Sequence, residues 1–133
     1  MRTVFADTFY WIALTDSSDA AHERAQRVSE PIVTTDEVLT EYLTFFCAAP
    51  EFMRREVALV VDDILQNPGV KVIPQSRATF LAGLELYRER PDKGYSLTDC
   101  ISMAAMRREG ITEALTNDRH FEQEGFRSVL RDS

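Results

Sequence analysis

Short apolar runs alternate along the chain with longer stretches whose apolar residues recur every three or four positions. The runs at 3–6, 31–34, 70–73, 111–115 and 126–130 have the length and β-branched or aromatic content of strands. Between them the period changes to that of helices. Helices are predicted over 8–14, 19–29, 36–47, 51–66, 77–90 and 97–109, with a short helical turn at 120–124. Punctuation agrees with these limits. Residues 15–19 (Thr-Asp-Ser-Ser-Asp) form a turn rich in capping residues, Pro50 opens a helix, and Asn67-Pro68-Gly69 closes it. Gly110 stands where a helix end places glycine. Ala21, Ala25 and Val28 form the expected inward stripe of the second helix; Phe80, Leu81, Leu84 and either Leu86 or Tyr87 form that of the fifth.

Strands that alternate with helices pair in parallel, with helices on both faces of the sheet. The expected architecture is therefore α/β, with a central parallel sheet of four to five strands. Ligands of such sheets sit beyond the carboxyl ends of the strands. No repeat, low-complexity tract or linker divides the chain. One domain spanning 1–133 is expected, long enough to bury a core without disulfides.

Composition narrows the function classes. A 44% hydrophobic and 28% charged content fits a globular protein. No apolar run approaches the ~18 residues of a membrane span, and no signal-peptide layout opens the chain. The cytosol is the expected compartment. Cys47 and Cys100 both fall in helical patterns and read as buried apolar groups rather than as a disulfide. The net charge of −7 argues against nonspecific nucleic-acid binding through a basic surface, and suits a basic protein partner.

Four acids stand beside apolar runs. Asp7 follows Val4-Phe5-Ala6, Glu41 sits within Val38-Leu39-Thr40-Glu41-Tyr42-Leu43, Asp99 ends Ser96-Leu97-Thr98-Asp99, and Asp118 follows Leu115-Thr116-Asn117. Each has a structural alternative. Asp7 could cap the helix after it. Glu41 could be a boundary residue at the edge of the Val38-Tyr42-Phe45-Phe46 stripe. Its neighbour Glu37 suits a capping box with Thr34. Asp99 could form a similar box with Ser96, and Asp118 could be a turn residue. Gathered at ~5 Å in an effective dielectric of ~20, each pair would cost about 3 kcal/mol. A hard divalent cation such as Mg²⁺ or Mn²⁺ removes that cost. Asp7 and Asp118 both fall just past a strand's carboxyl end, where such a meeting is plausible.

The order and context of these acids resemble those of the PIN-domain family, in particular its VapC-type toxins. Val4-Phe5-Ala6-Asp7-Thr8 resembles the family's opening strand, and Ala13-Leu14 through Asp19, His22 and Ala25 the segment after it. Thr34-Thr35 through Val38-Leu39 to Glu41 resembles the second acidic motif, and Ser96-Leu97-Thr98-Asp99-Cys100 the third, with Cys100 in place of a common alanine. Leu115-Thr116-Asn117-Asp118 with Arg119-His120-Phe121 and Gly125-Phe126 resembles the fourth. The resemblance covers essentially the whole chain. It implies a three-layer α/β/α sandwich, Mg²⁺- or Mn²⁺-dependent endoribonuclease activity, a homodimer, and a VapB-like antitoxin whose tail covers the acidic pocket. Carried across, Asp7, Glu41, Asp99 and Asp118 are the catalytic acids, and Thr116 and Asn117 support them.

Hydrolysis of RNA requires an in-line nucleophile and relief of phosphate charge. Asp7, Asp99 and Asp118 are expected on the metal, with Glu41 holding a water or assisting proton removal. His22 reads as structural or exposed, and His120, close to Asp118, as a lesser candidate for touching substrate. Arg54, Arg55, Arg107 and Arg108 read as solvated helix faces. Two competing functions stand beside the nuclease. A haloacid-dehalogenase-like phosphatase would carry a second aspartate two positions after Asp7, where this chain has Phe9. A catalytically silent interaction module would use the acidic pocket only to receive an Arg-bearing peptide.

Overall fold

The computed structural model describes residues 2–130; Met1 and residues 131–133, the ends of the expected 1–133 domain, lie outside the described residues. The chain runs β1 (Val4–Ala6), α1 (Thr8–Thr15), α2 (His22–Gln26), β2 (Ile32–Thr35), α3 (Asp36–Phe45), α4 (Glu51–Gln66), β3 (Val70–Ile73), α5 (Arg77–Glu89), α6 (Leu97–Glu109), β4 (Glu113–Leu115), α7 (Arg119–Gln123) and β5 (Arg127–Ser128). All strand pairs are parallel, in the order β3-β2-β1-β4-β5. The chain winds outward from β1 through β2 to β3, then returns to the other side of β1 to lay down β4 and β5. Right-handed crossovers put the helices of the outward and return paths on opposite faces of the sheet. Every residue of β1, β2 and β4 is accordingly buried, while the edge strands β3 and β5 are partly open.

The order of strands reverses at β1 and β4. Their carboxyl ends therefore flank a crevice that no crossover covers. Residues Asp7 and Thr116 each follow the last residue of one of these two strands. Around β1 the core is fixed by Phe5, Tyr42, Phe121, Met103 and Met106, all essentially inaccessible to solvent. Trp11 of α1 donates through its indole N–H to Thr34 Oγ1 at 3.3 Å, and Thr34 donates on to the Ala6 carbonyl at 2.9 Å. This chain of bonds ties α1 and β2 to the carboxyl end of β1, just before Asp7.

The return path is set by one close approach. Gly83 of α5 faces Ile101 of α6, and a Cβ on it would lie 2.3 Å from the Ile101 side chain. Glycine lets these two helices pack backbone to backbone. Helix α6 begins with a full capping box between Ser96 and Asp99 and ends at Gly110, whose φ of 71° is left-handed.

Several local expectations change. The second helix is only five residues, because Asp16 and Asp19 turn the preceding backbone through bonds to Ser18 and Ala21. Helix α3 stops at Phe45, two residues early, which leaves Cys47 exposed rather than buried; Cys100 is buried and neither is in a disulfide. The cap of α3 is Thr35, accepting from the Val38 N–H, and not Thr34, whose hydroxyl is already committed to Ala6. On α5, Gly83 and Leu86 face inward, while Phe80, Leu81 and Tyr87 of the expected stripe are exposed. Strands β4 and β5 are shorter than the apolar runs that contain them. Arg107 is no free solvated group: it pairs with Glu124 at 2.6 Å and lies over the Phe126 ring. Among the described residues no helix is long and apolar enough to cross a membrane.

Candidate active site

The crevice at the reversal of strand order opens into a cavity of about 930 Å³. Asp7, Glu41, Asp99 and Asp118 all line it, with Thr116, Asn117 and His120. Four acids separated by up to 111 positions thus share one concavity, delivered by β1, α3, α6 and the turn after β4.

Asp7 occupies the cap position of α1 but makes no side-chain cap bond. Its carboxylate instead accepts the Thr116 hydroxyl at 2.9 Å. Asp7 is 7% exposed. Burial raises its pKa to about 7, and the charges of Asp99 and Glu41 push the same way, against the Thr116 hydroxyl and the Thr8 N–H. An acid held this far from its ordinary range marks a site built for something that compensates charge.

Thr116 is fully buried and works in two directions. Its oxygen donates to Asp7 and accepts the Asp118 N–H at 3.1 Å. One hydroxyl therefore sets the spacing between two of the acids. Asp118 does act as a capping residue, accepting the His120 N–H at 2.9 Å at the start of α7. Its other oxygen is not used in that cap, so capping leaves the carboxylate able to bind.

Asp99 likewise caps and faces the cavity at once. One oxygen accepts the Ser96 N–H at 3.1 Å, and the side chain is 14% exposed. Its pKa is raised, first by burial and then by the Asp118 charge, against the Ser96 bond. Glu41 is on the exposed rim and accepts the Thr8 hydroxyl at 2.5 Å, which draws α3 to the start of α1. Asn117 is exposed at the mouth.

The tightest grouping differs from the expected metal set. Among the described residues, Asp99, Asp118 and His120 offer ligand atoms that all lie within 4.8 Å of one another. Sequence reasoning gave His120 only a lesser place, as a group that could touch substrate. The signal available was its position two residues beyond Asp118, on the first turn of a short helix. The donor set of carboxylate oxygens and an imidazole nitrogen fits a divalent metal. His120 Nδ1 is shielded from solvent and faces Asp99 and Asp118 at 3.4 Å each.

Comparison with known proteins identifies the family and the fold. The PIN domain family matches residues 4–126. The 23S rRNA-specific endonuclease VapC20 of Mycobacterium tuberculosis is 29% identical over 133 residues, covering 95% of this chain and 97% of that protein. The crystal structure of VapC20, described as a Sarcin-Ricin loop cleaving toxin, superposes with a TM-score of 0.83 at 27% identity, covering 95% of this chain and 98% of that one. A toxin–antitoxin complex from Klebsiella pneumoniae shares the fold, with a TM-score of 0.63 at 14% identity over 87% of each chain.

Proposed function

This chain belongs to the PIN-domain family, and from that membership we propose that it is a divalent-cation-dependent endoribonuclease, the toxin of a toxin–antitoxin pair. The observation that carries the reading is the convergence of Asp7, Glu41, Asp99 and Asp118 on one cavity. Full-length similarity to VapC20 supports it. Asp7, Asp99 and Asp118 hold the cation, Mg²⁺ or Mn²⁺, and Thr116 and Asn117 support them. A bound cation of this kind supplies charge relief at a scissile phosphate and lowers the pKa of a nearby water.

The chain's own groups do the rest. Thr116 keeps the Asp7 carboxylate aimed into the cavity. Glu41, acceptor-only when ionised and held by Thr8, assists removal of a proton from the attacking water. Water adds to phosphorus, the bond to the leaving oxygen breaks, and that oxygen takes up a proton. The RNA is bound at the open mouth, where Arg119 offers a charge for a neighbouring phosphate. Phe52 and Leu59 on α4, and Phe80 and Tyr87 on α5, each pair seven residues apart and exposed, support protein interfaces for a second copy and for an antitoxin. The protein acts in the cytoplasm, where its RNA is.

The test is cleavage of purified ribosomal RNA by antitoxin-free protein, with ends mapped in Mn²⁺ and again in excess chelator. The 23S rRNA named for VapC20 is the first substrate to try. New ends that vanish with chelator support the reading. Intact RNA under both conditions, with other RNAs tried in turn, favours the silent interaction module instead.

A further inference from the structure

We propose that His120 supplies a nitrogen ligand to the cation in this cavity, and that it thereby favours Mn²⁺ over Mg²⁺. The inference rests on the metal-dependent reading above and adds a residue and a selectivity to it.

His120 Nδ1 lies 3.4 Å from Asp99 Oδ2 and 3.4 Å from Asp118 Oδ1. Both contacts are at ion-pair distance, and the nitrogen is shielded from water. Two carboxylate oxygens converging on one ring nitrogen call for positive charge between them, which a shared cation supplies. The spacing fits. Ligands at right angles around a cation, with bonds of about 2.1 Å, sit about 3 Å apart. The two His120 separations, 3.4 Å each, close with a shift of tenths of an ångström, and all three ligand atoms already lie within 4.8 Å of one another.

The imidazole is held in place by its surroundings. The His120 backbone N–H donates to Asp118, which fixes the residue from which the ring projects. Tyr95 meets the ring edge-on, with centroids 5.4 Å apart. Tyr95 is itself anchored through its hydroxyl to Glu124 at 3.0 Å. Gly94 lies on the far side, where even a Cβ would meet Nε2 only in ordinary contact at 3.4 Å. Such fixing of a ring is what ligand histidines require. Mg²⁺ is served by oxygen ligands and retained waters, whereas first-row transition ions, of which Mn²⁺ is the weakest binder, accept a nitrogen ligand more readily than Mg²⁺ does. One nitrogen among carboxylates therefore tilts the site toward Mn²⁺.

Pulsed electron paramagnetic resonance of the full chain loaded with Mn²⁺ tests this without reference to activity. The chain has two histidines, His22 and His120. Nitrogen modulation is expected from wild-type protein, changing to the ¹⁵N pattern when histidine is ¹⁵N-labelled. It is expected to persist in His22→Gln, whose ring Nδ1 sits on the Ala13 carbonyl at 2.7 Å, and to vanish in His120→Gln. Competition dialysis of His120→Gln should show the preference for Mn²⁺ over Mg²⁺ reduced about tenfold or more. Bound Mn²⁺ with no histidine-nitrogen modulation in wild type overturns the proposal and leaves the metal reading standing. Modulation that survives in His120→Gln also overturns it. A wild-type protein that binds no Mn²⁺ defeats both. Labelled His22→Gln, whose one remaining histidine is His120, decides the matter even where His120→Gln fails to fold.

Discussion

The Thr116 hydroxyl donates to Asp7 Oδ2 at 2.9 Å, across 109 positions of sequence, and the same oxygen accepts the Asp118 N–H. This is the joint that makes one site from the ends of β1 and β4. Thr116→Val keeps the shape and deletes both bonds. It is expected to cost about 1–3 kcal/mol and to weaken Mn²⁺ binding at neutral pH, because Asp7 loses a donor that favours its ionised form. Urea unfolding and a calorimetric Mn²⁺ titration check the two halves.

Asp7 also sets a pH dependence. Its folded pKa, about 7, is above the ordinary value of 3.8, so the folded protein holds this proton more tightly than the unfolded chain. Metal-free stability should therefore fall as pH rises from about 4 through about 7, by on the order of a few kcal/mol. Asp99 shifts in the same direction. Divalent cation should reverse the trend, since it binds the ionised forms. Asp7→Asn should flatten the profile, raise metal-free stability at pH 8 and abolish the gain from cation. Unfolding curves at pH 5 and 8, with and without Mn²⁺, test each point.

Glu124 behaves in the opposite way. Burial works against its charge, yet bonds from Arg90, Arg107 and Tyr95 bring its pKa down to about 2. Its contribution is present above the ordinary value of 4.5 and lost as pH falls toward 2. Glu124→Gln is expected to destabilise by about 3 kcal/mol, since two arginines lose a nearly inaccessible partner. Melting curves at pH 7 and pH 3 should show the difference between wild type and variant shrinking in acid.

Gly83→Ala tests the α5–α6 contact. The added methyl would meet Ile101 at 2.3 Å and its backbone at 3.1 Å. Helix propensity alone would favour alanine by about 1 kcal/mol; overpacking of about 1–3 kcal/mol opposes it. Net destabilisation is expected, and Gly83→Ala combined with Ile101→Val should recover part of it. Thermal melts of the single and double variants decide.

Elements with a single reading were legible in the sequence. Helix α4 and strand β3 have the expected limits, because Pro50 and Asn67-Pro68-Gly69 fix the ends of one and alternation with an apolar run fixes the other. The parallel sheet followed from alternation of periods. The phase of α5 did not, because Phe80, Leu81 and Tyr87 are as apolar as a core stripe, and periodicity does not say which of two apolar faces is covered. Gly83, which carries no hydrophobic signal, turned out to mark the packed face. At the candidate site, the four acids were visible beside their apolar runs, but their hydrogen bonds were not. Capping and facing the cavity proved compatible at Asp99 and Asp118, since each carboxylate has more acceptor positions than its cap uses: Asp99 Oδ2 and Asp118 Oδ1 both take a backbone N–H and face His120. His120 was undervalued because its place between two carboxylates depends on the path of α7.

The most direct measurement is anomalous diffraction from crystals of the protein soaked in Mn²⁺. The expected result is a peak in the cavity within ligand distance of Asp99 and Asp118, reaching Asp7 directly or through one water, and absent from Asp99→Asn crystals. A peak only elsewhere on the molecule, or an equal peak in Asp99→Asn, would contradict a cation site built from these acids.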